Sequence, residues 1–228
     1  MTALQVTVTT ADEARAAVVS GVTTIFAAGN AGGSPSPLPL SDVRAILAAA
    51  GEQTEVVAAA GDLSSDGLAE LAATAVTALV LPVPGGDAGA ALLSQVGRSL
   101  ASTVRLIAAF PPEAGPDFEL LPVAAIAGFS GVWLSAPETS DGLTKAVKIA
   151  DIARFIAAAR RSKLSVALSG GLRVVDVGTL LPLRPDHLGF RAAVSEDEDP
   201  AKPLDPARIR AVAAAFAIHS VRPAPDES

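Results

Sequence analysis

Leu4-Gln5-Val6-Thr7-Val8-Thr9 is a short β-branched alternation, and Thr10-Ala11-Asp12-Glu13 follows it without a gap. The first run has the period of a strand. The second has the spacing of a capping box, in which a Thr side chain accepts the N–H three residues on and the Glu reaches back. A strand feeding directly into a capped helix is one βα unit, with its helix predicted over Ala11–Ser20. Working outward, seven more apolar runs recur: Thr23–Ala27, Glu55–Ala60, Ala78–Leu81, Val104–Ala109, Gly131–Leu134, Ser165–Leu168 and His187–Phe190. Each is followed by a helix-period segment. The helix after the sixth run is predicted as one long element ending near Arg161. The last opens at Asp205-Pro206, an N-cap followed by proline at N1.

Eight βα units at a spacing of about 26 residues fit either a closed barrel or a doubly wound open sheet. The runs Val104–Ala109 and Ser165–Leu168 do not alternate, as expected of strands buried on both faces of a parallel sheet. No G-x-G-x-x-G follows the first strand, so the dinucleotide-binding open sheet has no support. The count and the evenness of the units favour the barrel. The predicted fold class is therefore α/β, a single (β/α)₈ TIM barrel over residues 1–220, with residues 221–228 expected to be a disordered tail.

Composition narrows the chemistry. Cysteine is absent and the histidines are His187 and His219, which excludes thiol chemistry, disulfides and Cys/His zinc sites. No metal site and no cofactor is assigned, although Asp and Glu suit Mg²⁺. The formal net charge of −7, with lysine at positions 145, 148, 163 and 202 alone, argues against a nucleic-acid partner. There is neither a basic n-region at the start nor an apolar stretch of about 20 residues, so a cytoplasmic protein with no membrane partner is expected.

Function in a barrel resides at the carboxyl ends of the strands. Those ends carry few ionisable groups here: Asp62 after the third strand and Arg191 after the eighth, with Glu113, Glu138 and Asp141 further out in loops. Ser169-Gly170-Gly171 follows the seventh strand and Gly189-Phe190-Arg191 closes the eighth. Glycines let backbone N–H groups approach an anion, and barrels often bind phosphate at this corner. A tight βα turn, with Arg191 capping a carbonyl or pairing with the run Glu196–Asp199, is the other reading. Asp62 reads either as a functional carboxylate or as a turn residue. His187, at the start of its strand, reads as structural, His219 as solvated, and Trp133 as packing. The proline-rich segment Gly32–Pro39 reads as a lid or an interface.

The order of these segments resembles the (5-formylfuran-3-yl)methyl phosphate synthase family over Leu4 to Phe216. The likeness rests on Thr10-Ala11-Asp12-Glu13-Ala14, Asn30 after the second strand, Gly61-Asp62, Asp141-Gly142, Ala167-Leu168-Ser169-Gly170 and Gly189-Phe190-Arg191-Ala192. The resemblance implies a barrel related to class I aldolases that joins two molecules of glyceraldehyde 3-phosphate, a step toward methanofuran or methylofuran. It also implies lysine chemistry through a Schiff base. Here the family's lysine positions fall on Gly29, on Val80 and at or beside Ser140, and its aspartate falls on Ala27.

The expectation that follows is a non-catalytic or altered member of a lyase-type family, with no catalytic residue assigned. It keeps a phosphate-binding corner of Ser169, Gly170, Gly171 and Arg191, with Asn30 and Asp62 as further candidates. Its expected partners are a triose-phosphate-like molecule and other subunits, in a homo- or hetero-oligomer that includes an active subunit. Two alternatives stand beside it. One is an active synthase using a relocated Lys145 or Lys148; the other is an interaction module without a ligand.

Overall fold

A computed structural model of the chain describes residues 2–31, 34–61, 63–111, 117–138 and 142–220. Eight parallel strands close into a barrel: β1 (Ala3–Val8), β2 (Thr24–Ala27), β5 (Glu55–Ala59), β6 (Ala78–Pro82), β7 (Arg105–Phe110), β8 (Gly131–Ser135), β9 (Ser165–Ser169) and β10 (His187–Phe190). Neighbours in the barrel are neighbours in sequence, and β1 closes the ring by pairing β10 through Val6↔Phe190 and β2 through Val8↔Ala27. The eight runs read from the sequence are these eight strands, to within two residues at each end.

The helices outside the barrel follow the same order, from α1 (Ala11–Val19) through α2 (Leu40–Ala50), α3 (Ser65–Ala72), α4 (Gly86–Leu100) and α5 (Leu120–Ile126). The single helix predicted after the sixth barrel strand is instead two, α6 (Leu143–Ala146) and α7 (Ile149–Arg161). Val147 breaks them in extended backbone at φ −127° and buries its side chain, and Lys148 becomes the N-cap of α7. Next comes α8 (Asp176–Leu180), which stops in a 3₁₀ turn at Pro182, where the ring removes an N–H donor. The last helix, α9 (Pro206–Ser220), opens at the predicted proline.

The proline-rich segment read as a lid or an interface includes one strand of a two-stranded hairpin. β3 (Gly29–Ala31) pairs antiparallel with β4 (Ser34–Ser36), the register setting Asn30 against Pro35. Pro35 of this hairpin lines the spaces at the barrel mouth, and Gly61 makes room for Pro37, which follows it. A Cβ on Gly61 would meet Pro37 Cδ at 2.5 Å.

Burial divides into two layers. The larger core lies between the outward faces of the strands and the helices, with Ile25, Leu79, Leu106, Leu134 and Phe155 fully enclosed. A second, separate cluster occupies the barrel interior, and half of its residues are alanine. Ala28, Ala59, Ala78 and Ala167 accompany Val57, Val80, Phe26 and Trp133. Barrel interiors are ordinarily filled by layers of bulky branched side chains. Alanine at so many inward positions leaves the upper part of this one hollow.

Candidate active site at the barrel mouth

The hollow opens at the carboxyl ends of the strands as a cavity of about 500 Å³. Its floor is Phe26 against Trp133, rings 4.5 Å apart between centroids and tilted by 52°. Trp133 Nε1 donates to Ser169 Oγ at 2.8 Å, and Ser169 Oγ donates to Ser135 Oγ at 2.8 Å. The packing role read for Trp133 is thus joined to a polar one, since it anchors the serine pair at the edge of the site.

The rim is unusual in chemistry. Pro35, Pro82, Pro84, Pro111 and Pro137 line it, and a proline carries no N–H. Among the described lining residues Ser135 is the one that bears a hydroxyl, and none is Lys, Arg, His, Asp or Glu. These described walls suit apolar, flat molecules, and their side chains supply no group for proton transfer.

A smaller polar recess of about 20 Å³ adjoins it and shares Phe26, Pro35, Ser135 and Ala136. Its other walls are Thr7, Thr9, Ala28, Gly29, Glu138, Ser169 and Arg191. Gly170 and Gly171 carry the turn out of β9 at φ +97° and +56°, in the left-handed region. A Cβ on Gly170 would lie 1.9 Å from Ala136 O, so only glycine lets the loops after β8 and β9 meet here.

Arg191 stands beside this recess, buried, and its five N–H groups all find acceptors. Nη1 and Nη2 meet Glu13 Oε2 and Oε1 at 2.8 and 3.0 Å. Nε donates to Pro200 O at 2.8 Å, Nη1 to Thr7 O at 3.2 Å and Nη2 to Lys202 O at 2.9 Å. Its partner is therefore Glu13 on α1 together with three carbonyls, not the run Glu196–Asp199. Glu13 has been drawn from its expected place in the capping box: Thr10 accepts its N–H at 3.2 Å, but Glu13 Oε2 turns to Thr9 N at 2.7 Å.

Glu138, which the sequence places merely in a loop, is the carboxylate that reaches the recess. Burial raises its pKa above the usual glutamate value. The backbone N–H groups of Gly171 and Ala192, and the charge of Arg191, act in the opposite sense. Its Oε2 is buried without a hydrogen-bond partner. Nothing in the spacing around Pro137-Glu138 marks this residue, because its position depends on how the loop after β8 folds against the turn after β9.

The positions matched to the family's lysines face these spaces. Val80 lines the large cavity and Gly29 the recess, while Ala27 packs outward among the helices. Lys145 and Lys148 are exposed and line neither space. Asn30 stands on β3. Asp62, Glu113, Ser140, Asp141 and the tail 221–228 lie outside the described residues. His187 lies at the amino end of β10, as its structural reading expects. Burial lowers its pKa, and Glu55 and Asp186 oppose that shift. His219 is exposed, as read from the sequence. Among the described residues no group of three or more potential ligands is placed to hold a metal ion, and no helix is long and apolar enough to cross a membrane.

With this geometry in place, the comparisons with known proteins are specific. Residues 4–213 match the model of the 4-HFC-P synthase family. The chain belongs to that family. A Methylorubrum extorquens protein, provisionally named a (5-formylfuran-3-yl)methyl phosphate synthase, is 31% identical over 227 residues, covering 97% of this chain and 92% of that one. Solved structures agree on the fold alone. Phosphoribosyl anthranilate isomerase from Thermus thermophilus superposes with a TM-score of 0.72 at 19% identity, over 95% of this chain and 98% of its own. The 3-hexulose-6-phosphate synthase from Salmonella typhimurium gives 0.70 at 16%, over 95% and 99%. Within the 4-HFC-P synthase family, this member places valine and glycine at two positions where the resemblance implies lysine, and both positions face the mouth.

Proposed function

We propose that this family member binds a small phosphorylated ring compound of the furan phosphate type without condensing trioses through a Schiff base. The observation that carries this reading is the wall of the 500 Å³ cavity, which has no amine among its residues. Schiff-base chemistry needs a primary amine of lowered pKa at the reacting carbonyl, and lysine alone supplies one from a side chain. The exposed positions of Lys145 and Lys148 speak against a relocated lysine.

The ligand class follows from the two adjoining spaces. A flat, mostly apolar ring suits the Phe26–Trp133 floor and the proline rim. An anionic substituent suits the corner of Ser169, Gly170, Gly171 and Arg191, where the backbone contributes the donors and Arg191, already paired with Glu13, forms the wall. The relative's name specifies a furan phosphate of this shape. A barrel of like fold has been solved with reduced 1-(o-carboxyphenylamino)-1-deoxyribulose 5-phosphate, another ring with a phosphate.

The test is incubation of the full chain with glyceraldehyde 3-phosphate, with the furan product sought by mass spectrometry and borohydride trapping run in parallel. We expect neither product nor adduct. Turnover at about 1 s⁻¹ or faster, a rate ordinary for enzymes, would overturn the reading.

A further inference from the structure

We propose that the anion corner is occupied from within the chain: Glu138 holds its carboxylate where a ligand's phosphoryl group would sit, so a phosphomonoester binds only by displacing it. This inference rests on the reading above that the corner takes a phosphorylated ligand.

Position comes first. Glu138 enters the recess from the loop after β8 and shares it with Thr7, Ser135, Ser169 and Arg191. The donors come from two other loops. Gly171 lies in the turn after β9, and Ala192 is the first residue of the 3₁₀ turn after β10, where a backbone N–H has no partner within its own turn. Both N–H groups come near enough to the Glu138 carboxylate to hold its pKa down against burial. Backbone amides from the last two βα loops are the usual makings of a phosphate cradle in a barrel. Here a carboxylate of the same protein lies beside them, lining the recess.

Occupancy is the second point. The free volume left in the recess is about 20 Å³, room for one water and not for a phosphate. Ligand phosphate and the Glu138 carboxylate therefore exclude one another. Glu138 is also poorly held. Its Oε2 has no hydrogen-bond partner, and the five N–H groups of Arg191 are already taken by Glu13 and three carbonyls. A phosphoryl group brings more charge and three acceptor oxygens to the same amides. It is the stronger occupant once the carboxylate leaves.

The experiment titrates inorganic phosphate into the wild-type chain, Glu138→Gln and Glu138→Ala. Calorimetry gives the affinity, and the ¹H–¹⁵N resonances of Gly171 and Ala192 report on the amides. Apparent affinity falls by the fraction of molecules whose corner is open, so both variants are expected to bind phosphate at least about tenfold more tightly. In both, phosphate should move the two amide resonances. Equal, weaker or absent binding in the variants overturns the proposal, and Glu138→Gln decides it alone if Glu138→Ala does not fold. Turnover of the triose phosphate would remove the preceding reading and leave this one. Unchanged phosphate affinity without turnover would do the reverse.

Discussion

Glu13 and Arg191 lie 178 residues apart, yet their side chains form a bidentate pair buried between β1 and the loop after β10. Three backbone carbonyls complete the guanidinium, so the pair ties α1 and the stretch Pro200–Lys202 to the barrel. Removing one partner of such a pair strands a buried charge. Arg191→Met is expected to lower stability by about 3–5 kcal/mol, and a Glu13→Gln background should recover part of that loss in urea denaturation. Glu138 makes the opposite prediction. Its folded pKa is raised above 4.5, so the native state holds its proton more tightly than the unfolded chain does. The stability it contributes is complete below pH 4.5 and is lost as pH rises through the folded value. Glu138→Gln should therefore be the more stable protein at pH 7, and the difference should vanish toward pH 4. Denaturation profiles that run parallel across this range would contradict the assignment.

At the scale of elements, local sequence signals placed what local physics controls. Thr10 caps α1 and Pro206 starts α9 where the sequence predicts them, because capping is settled within four residues. The break between α6 and α7 was not legible, since one valine is a weak local signal and Val147 leaves the helix to fill the core, a tertiary contact. Nor was the β3–β4 hairpin, whose exit at Pro37 packs on Gly61 after the next barrel strand. The turn out of β9 is the most constrained of these joints. Gly170→Ala would force an L side chain into φ +97° and onto Ala136 O, and should destabilise the protein by at least about 3 kcal/mol, measured by thermal or urea unfolding.

Across the whole molecule, the alanine-rich composition has a functional consequence. The same small side chains that let helices pack closely outside the barrel leave a hollow when they point inward at Ala59 and Ala109. Filling that hollow should therefore separate stability from binding. Ala109→Leu adds apolar volume inside an existing cavity, and at about 0.8 kcal/mol per buried CH₂ it should raise stability by roughly 1–2 kcal/mol. It should at the same time abolish binding of a furan probe such as furfuryl alcohol, followed by NMR line broadening. A variant that binds the probe unchanged would place the ring elsewhere.

The amino-acid sequence alone determined the eight βα units, their order, and hence the barrel, because strand period, helix period and caps are written in residues close together in the chain. It also showed which residue types were missing from the strand ends. The tertiary structure decided which groups meet there. Glu138 enters the recess beside Ser169, Arg191 is claimed by Glu13, and Val80 and Gly29 face the mouth, through contacts between loops far apart in sequence. Contacts of that kind depend on ring closure and on the volumes of side chains packed across it, and no local pattern encodes either.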